Sequence, residues 1–234
     1  DEAETVLSCL LELRDEGLSL DEMSVLYRNH IQSAVLQVVL THAGIPFIVH
    51  SGVKFFEQAH IKDVTAFLKV IYNPLDEIAW MRLLRMLPGI GNTTANRIFR
   101  IFREQQAVRL TQENLELQKI IPARSKEEWN LLTDCLRNLI KDEITPPEMI
   151  ALVYRDFYRE VMYGEFENAS LRENDIHYLQ EFSGNYRSLD GFLNELSLVG
   201  STIVTDQEAE AKEQEMLTLT TIHQAKGLEW DAVF

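Results

Sequence analysis

The chain has 234 residues, of which 46% are hydrophobic and 25% charged, a composition typical of a folded globular protein with one or two domains. Its net charge of −15 argues against general affinity for nucleic acid, because binding a polyphosphate normally requires a basic face. No apolar run reaches the roughly 18 residues of a membrane-spanning helix, and no secretory leader is visible. We therefore expect a cytoplasmic protein without a membrane partner.

Cysteine and histidine usage gives no sign of a metal site. Cys9 and Cys135 are far apart and form no CxxC pair, which argues against both a zinc site and a disulfide framework and is typical of a reducing compartment. The six histidines show no HxxxH spacing. We predict no bound metal ion on this chain.

The first 50 residues alternate between helix and strand. Apolar spacing predicts a helix over 3–16, with Gly17 as its C-cap. Strands are predicted at 23–27 and 45–49, with a helix over 31–43 between them. This order is typical of an α/β unit with parallel strands.

Beyond Gly52 the apolar periodicity becomes helical and stays so over roughly 140 residues. Helices are predicted at 57–73, 76–87, 93–106, 112–120, 125–141, 146–163, 170–182 and 189–198. The acidic stretch 205–215 is typical of an exposed linker, and strand character returns at Met216. We therefore predict an α/β fold with a mainly α-helical inserted domain: a parallel sheet built from both chain ends, and a helical bundle between them.

One basic segment interrupts this acidic chain. Between residues 80 and 110 there are six arginines and one acid, Glu104, which gives +5 and leaves −20 for the rest. An acidic protein with such a segment can still hold a polyanion locally. The arginines are Arg82, Arg85, Arg97, Arg100, Arg103 and Arg109.

Within the basic segment, the sequence LPGIG at 87–91 is similar to a helix-hairpin-helix turn. Gly89 and Gly91 permit a tight turn whose backbone N–H groups face a phosphate, and the N-terminus of the next helix adds partial positive charge. Arg97 and Arg100 follow at a spacing of three on that helix. We favour phosphate binding over a solvated helix–helix turn because glycines and arginines occur together.

The last residues form a strand–loop–strand pattern. A β-branched run over 217–222 predicts a strand, the polar loop 223–229 follows, and a second apolar run begins at Trp230. Loops at the carboxyl ends of parallel strands are the usual ligand positions in α/β sheets. Gly227 lets this loop turn tightly, although composition alone favours a plain polar connection.

The closing sequence LTLTTIHQAKGLEWDAVF resembles motif V of UvrD/Rep-type superfamily 1 DNA helicases, T-x-H-x-A-K-G-L-E-(F/W)-x-x-V-(F/I). In that family the loop contacts single-stranded DNA through its Thr and His positions, and its Glu lies at the nucleotide. The resemblance therefore implies that Thr221 and His223 bind single-stranded DNA, and that Gly227 and Glu229 face ATP. One loop touching both ligands could couple their binding.

Residues 25–71 resemble the motif IVa region of the same family. The resemblance implies that Arg28, at a strand end, meets a phosphate of single-stranded DNA. His30 stands where the family has Asn, and Ala34 where it has Arg, so the DNA contacts of those positions are not carried over. Phe55 and Phe56 could stack on bases, but the favoured interpretation is that they fill the hinge between domains.

The GIG element of this family lies in an inserted helical subdomain, called 2B, and is associated with duplex DNA. The resemblance therefore implies duplex contacts from Gly89, Gly91, Arg97 and Arg100. It also implies three segments: 1–73 as the first part of the RecA-like domain 2A, 74–214 as the 2B insertion, and 215–234 as the return to 2A.

The resemblance implies a fragment of an ATP-dependent DNA helicase that translocates in the 3′→5′ direction, in DNA repair or replication. The parent would use ATP and Mg²⁺, and would bind a single strand, a duplex junction and repair or replication proteins through 2B. This chain has no phosphate-binding G-x-x-x-x-G-K-(S/T) loop, so we expect no cofactor bound to it and no ATP hydrolysis by it alone.

Two other functions remain open at this stage. The helical region could be a non-enzymatic module that docks partner proteins or acts as an autoinhibitory gate, which its acidic charge outside 80–110 would allow. The chain could also belong to the helicase subunit of a recombination helicase–nuclease, a related class with the same motif V.

Overall fold

A computed structural model describes residues 2–28, 30–50, 55–104, 115–140, 144–201 and 215–234. This part of the chain is mainly helical, with one small parallel sheet. The helices are α1 (Glu2–Asp15), α2 (His30–His42), α3 (Ala59–Tyr72), α4 (Glu77–Arg85), α5 (Asn92–Glu104), α6 (Leu115–Ile120), α7 (Lys126–Leu139), α8 (Pro146–Val153), α9 (Arg159–Glu165), α10 (Ala169–Ser183) and α11 (Leu189–Ser201). The strands are β1 (Met23–Tyr27), β2 (Phe47–Val49), β3 (Leu217–Thr221) and β4 (Ala232–Val233).

Both ends of the chain contribute to the same sheet, as the sequence predicted. The strand order is β2-β3-β1-β4, and every pair is parallel. The late strand β3 lies between the two early ones, with Tyr27 opposite Thr221 and Val49 opposite Leu219. The coarse expectation of a parallel sheet combined with a mainly helical remainder is therefore confirmed.

The central strands are buried on both faces, which explains their near-continuous apolar and β-branched sequence. Leu217, Leu219 and even Thr220 are fully buried. The Ser24 hydroxyl donates to the Thr218 carbonyl at 3.1 Å, a contact that spans 194 positions of the chain. The hydroxyl thus finds a partner inside the sheet at no cost in unsatisfied hydrogen bonds.

The chain divides into two compact units, which we describe separately. Unit 1 comprises 1–58 and 194–234, and unit 2 comprises 59–193. The subdomain boundaries predicted from sequence, at 73/74 and 214/215, stay a prediction. The acidic stretch 205–215 lies outside the described residues except for Glu215.

Unit 2 is a helical bundle with an aromatic core. Trp80, Phe102 and Trp129 stack in a row, with ring centroids 4.7 and 6.3 Å apart, and join α4, α5 and α7. Phe67 and Phe157 pack at 5.4 Å. These rings bury large apolar areas, which fixes the relative positions of the helices within this unit.

The helix predicted over 146–163 contains a π-helical segment, Tyr154–Tyr158, between α8 and α9. This segment directs two phenols to carboxylates: the Tyr158 hydroxyl donates to Asp63 at 2.7 Å, and the Tyr154 hydroxyl donates to Glu173 at 2.7 Å. Burial raises the pKa of Tyr158, so its hydroxyl keeps its proton and remains a donor. A periodicity analysis cannot detect such a segment, because its residues still fall on one apolar face.

Within the described ranges, the structure contains no helix that is both long and apolar enough to cross a bilayer.

Candidate functional site

In unit 1, the carboxyl ends of β1 and β3 bring the predicted single-strand residues to one edge of the sheet. The two strands are neighbours in parallel register, and the Ile222 N–H donates to the Tyr27 carbonyl at 3.1 Å. Arg28 directly follows β1, Thr221 is the last residue of β3, and His223 lies two residues beyond it. Arg28 and His223 are exposed, and Thr221 is half-buried.

The loop after β3, residues 222–231, is held by its own main chain. The N–H groups of Gln224 and Ala225 both donate to the Thr221 carbonyl at 3.0 Å, and the Leu228 N–H donates to Ala225 at 3.0 Å. Gly227 has a φ of +91°, in the left-handed region that favours glycine. These main-chain hydrogen bonds and the left-handed Gly227 give the loop a defined turn.

The same loop borders an open depression of about 550 Å³ lined by Leu26, Ala225, Leu228, Glu229, Trp230, Asp231 and Val233. Most of this lining is apolar, and the two carboxylates are exposed at its rim. The Asp231 N–H donates to the Glu22 carbonyl at 2.9 Å and returns the chain to the sheet at β4. Gly227 is not part of the lining but lets the loop turn towards it.

The region around α2 explains two features of the sequence. Ala34 is fully buried, so this chain uses the position for packing. Phe55 and Phe56 are buried, with their rings edge to face at 5.0 Å. These rings are therefore not available to stack on bases, and their position in a hinge between domains stays a prediction.

In unit 2, the predicted phosphate-binding element is a glycine turn at residues 87–91. The Ile90 N–H donates to the Leu87 carbonyl at 3.1 Å, and the buried Ile90 side chain anchors the turn. Gly89 has a φ of +81°. The turn leads directly into α5, with the Ala95 N–H donating to the Gly91 carbonyl at 2.9 Å.

A second segment of unit 2 packs against this glycine turn. In the 3₁₀ turn Ala123–Ser125, the buried Ser125 hydroxyl donates to the Pro88 carbonyl. The Arg124 guanidinium lies over Gly89 so closely that a Cβ built there would be 1.9 Å from its Nε. Nothing lies within 4 Å of a Cβ built at Gly91. The two glycines therefore have different surroundings, and sequence reasoning missed Arg124, which no motif marks.

The arginines of α5 form one exposed face. Arg97, Arg100 and Arg103 are exposed and together line a depression of about 220 Å³ with Glu77, Asn96 and Phe99. The opposite face is buried through Ala95, Ile98 and Phe102. The helix thus buries its apolar stripe and presents its guanidinium groups together.

Part of the positive charge of the basic segment is neutralised by an ion pair within unit 2. Arg82 forms an ion pair with Asp63 at 2.5 Å, and Asp63 also accepts the Tyr158 hydroxyl. The positive charge of Arg82 is therefore balanced by Asp63 within unit 2. Arg109 lies outside the described residues. The arginines that remain exposed are Arg85, Arg97, Arg100 and Arg103.

A second buried polar cluster lies nearby on α3 and α10. The ring of His60 is fully buried; its Nε2 lies 2.9 Å from Asp175, and its Nδ1 lies 2.8 Å from Arg172. The Arg172 guanidinium lies 4.1 Å from the centre of the Phe166 ring. These contacts satisfy the histidine inside the bundle. Among the described residues, no group of three His, Cys, Asp or Glu side chains could hold a metal ion.

Comparison with known proteins gives one consistent result. The family model of the UvrD-like helicase C-terminal domain matches residues 1–234. The chain is 29% identical to ATP-dependent DNA helicase PcrA of Staphylococcus epidermidis over 248 residues, covering 100% of the chain and 33% of that protein. It is 28% identical to PcrA of Bacillus subtilis, with 92% and 31% covered, and 28% identical to DNA helicase II of Escherichia coli, with 100% and 34% covered. The chain thus spans about a third of these curated relatives.

Proposed function

Because the chain belongs to the UvrD-like helicase C-terminal domain family, we propose that it is the part of an ATP-dependent DNA helicase that carries contacts to DNA and one side of the nucleotide site. Unit 1 contains the sheet of a RecA-like domain 2A, and unit 2 corresponds to most of the helical 2B insertion. The whole protein would translocate on one strand, in the 3′→5′ direction, and separate a duplex during repair or replication.

The observation that carries this proposal is that the carboxyl ends of β1 and β3 lie side by side. Arg28 supplies a positive charge there for a backbone phosphate. Thr221 and His223 supply hydrogen-bonding groups on the adjacent strand end. Their positions are fixed by parallel pairing across nearly 200 residues of chain, which supports a single-stranded DNA path along this edge.

Contacts to ATP are proposed for the same loop on its other side. Glu229 lies at the rim of the depression next to β4, where its carboxylate could accept a hydrogen bond from a ribose hydroxyl. Gly227 allows the loop to approach the nucleotide closely. When bound, ATP with Mg²⁺ would supply the hydrolysis energy. This chain has no G-x-x-x-x-G-K-(S/T) loop of its own, so its residues would contact the nucleotide without cradling its phosphates.

Duplex binding is proposed for unit 2. Gly89 and Gly91 of the turn at 87–91 are exposed, and Arg97 and Arg100 add an exposed positive surface along α5. The overall charge of −15 confines this affinity to one face, because acidic surfaces elsewhere repel a polyanion.

Single-strand binding is tested by measuring the affinity of the chain for a fluorescent oligonucleotide across a salt series. Arg28→Ala should reduce the salt slope by about 1, and His223→Ala should weaken binding. Arg14→Ala, an exposed arginine of the same unit, is the charge-matched control. Equal losses in Arg28→Ala and Arg14→Ala would contradict the proposed path.

Duplex binding is tested with a blunt hairpin. The double variant Arg97→Ala/Arg100→Ala should reduce the salt slope by about 2, whereas Arg137→Ala/Arg187→Ala removes the same charge from other exposed positions of unit 2. No binding of the wild-type chain at low salt would refute the duplex role.

ATP hydrolysis measured on this chain alone should stay at background.

Exposed apolar side chains support a second role, the docking of a partner protein. Leu75 and Ile78 are 62% and 83% exposed at the start of α4, close in sequence to the half-exposed Tyr72. Such neighbouring groups favour a protein contact. Leu75→Ser/Ile78→Ser should abolish capture of a repair or replication partner while leaving hairpin affinity unchanged; loss of hairpin affinity in this variant would contradict a separate docking role.

A further inference from the structure

We propose that Arg124 is an additional DNA-backbone contact, and that Gly89 is a glycine partly because it seats the Arg124 guanidinium beside the glycine turn. The proposal rests on the duplex-binding role of unit 2 and extends it to a residue from a distant segment. The chemical class of its ligand is the phosphodiester backbone, without preference for base sequence.

The first argument is the fit between Arg124 and Gly89. A Cβ at Gly89 would lie 1.9 Å from Nε, 2.4 Å from one terminal nitrogen and 2.5 Å from the central carbon of the guanidinium. A side chain at Gly89 would force this end of the Arg124 side chain to move away. The guanidinium therefore lies directly beside the turn that is proposed to meet a phosphate.

The second argument is that the Arg124 side chain is exposed, whereas the next residue, Ser125, is buried and held by hydrogen bonds. Ser125 is fully buried and donates its hydroxyl to the Pro88 carbonyl, and its N–H donates to the Pro122 carbonyl at 2.9 Å. These bonds attach the 3₁₀ turn to the glycine turn. The Arg124 side chain itself is exposed to solvent, so its N–H groups can reach a ligand.

The third argument concerns the chemistry of the group. Arginine stays protonated at all physiological pH values, and its planar fork binds a phosphate through two parallel hydrogen bonds. Set against the glycine turn, it would add a charge-assisted contact to the main-chain N–H groups. The exposed arginines of α5 follow in the chain directly after the turn, which makes one continuous positive segment.

The experiment measures hairpin affinity and its salt slope for variants of the 234-residue chain. Arg124→Ala should weaken binding about tenfold, the value of one charged hydrogen-bonded contact, and should reduce the salt slope by about 1. Arg124→Lys should restore the slope but only part of the affinity. Gly89→Ala should reproduce the loss, because its methyl group displaces the guanidinium.

Lys126→Ala is the matched control, since Lys126 is an exposed cation two residues away that does not lie on the glycine turn. Thermal melting of Arg124→Ala should equal that of the wild type, which separates binding from folding. Equal effects of Lys126→Ala and Arg124→Ala, while Arg97→Ala/Arg100→Ala still loses binding, would overturn this inference and leave the duplex role intact. A wild-type chain that ignores the hairpin would overturn both.

Discussion

Two turns of this chain, each with a glycine in the left-handed region, are held in different ways. In the loop after β3, Gly227 is exposed, and a Cβ built there would meet nothing within 4 Å; the loop is shaped by its own main-chain hydrogen bonds. In the turn at 87–91, Gly89 lies under Arg124, and side chains from other segments hold the turn. Gly227 is required only by the backbone conformation of its turn. Gly89 is required by its backbone conformation and also leaves room for the side chain of Arg124.

This difference has a functional consequence. A loop shaped by its own main chain can change position as a unit while keeping its internal geometry, which suits a segment proposed to contact both DNA and nucleotide. A turn fixed by side chains from other helices keeps its position within unit 2, which suits a surface that grips a duplex. Substitutions in the two regions should therefore differ in their effects on the free energy of unfolding and on DNA affinity.

The largest effect should come from Asp63, which fixes α4, the helix that leads into the glycine turn. Asp63→Ala removes the acceptor of the fully buried Tyr158 hydroxyl and of Arg82, whose side chain is 35% exposed. Leaving the Tyr158 hydroxyl without its partner should lower the free energy of unfolding by about 2–3 kcal/mol. Urea denaturation measures this loss. Asp134→Ala, whose ion pair with Arg137 is half-exposed, should cost less than about 1 kcal/mol; equal costs would mean that Asp63 does not support α4.

The next effect should distinguish the two left-handed glycines. Gly227→Ala should cost about 1–2 kcal/mol from backbone strain alone. Gly89→Ala should cost up to about 0.5 kcal/mol more, because the new methyl group also displaces the exposed, flexible end of Arg124. Urea denaturation of both variants, each also combined with Arg124→Ala, provides the check: the extra cost should disappear only at Gly89. An unchanged difference would show that Arg124 is not the cause.

A smaller effect is expected at Ser125, the side chain that attaches the 3₁₀ turn to Pro88. Ser125→Ala leaves the Pro88 carbonyl without this donor and should cost about 1–2 kcal/mol, measured by thermal unfolding. Ser8→Ala in α1, with a long 3.5 Å contact to Glu12, should be nearly neutral. A neutral Ser125→Ala would indicate that the turn, like the loop after β3, holds its own shape.

The smallest effect on stability is expected at Gly91. Its φ is not positive, and a Cβ there would meet nothing within 4 Å, so Gly91→Ala should change the free energy of unfolding by less than about 0.5 kcal/mol. Hairpin affinity should nevertheless fall, if the glycine permits close approach of a phosphate. A stable variant with unchanged affinity would remove Gly91 from the proposed duplex site.

Much of the fold could be predicted from sequence because its signals are local. The β-branched run at 217–221 and the helical spacing of α5 are periodic patterns within one element, and periodicity reports which face is buried. The left-handed conformations of Gly89 and Gly227 agree with the glycine-containing turns predicted there. The ligand contacts assigned to Arg28, Thr221 and His223 came from the family resemblance and stay a prediction.

Only the tertiary structure decided the contacts between distant segments. It placed β3 between β1 and β2, paired Arg82 with Asp63, buried Ala34, and set Arg124 against Gly89. None of these has a sequence signature, because each depends on which surfaces meet when apolar faces are buried. The sequence by itself determined periodicity, turns and the family motif; packing decided which charges are neutralised inside the protein and which remain at the surface for a ligand.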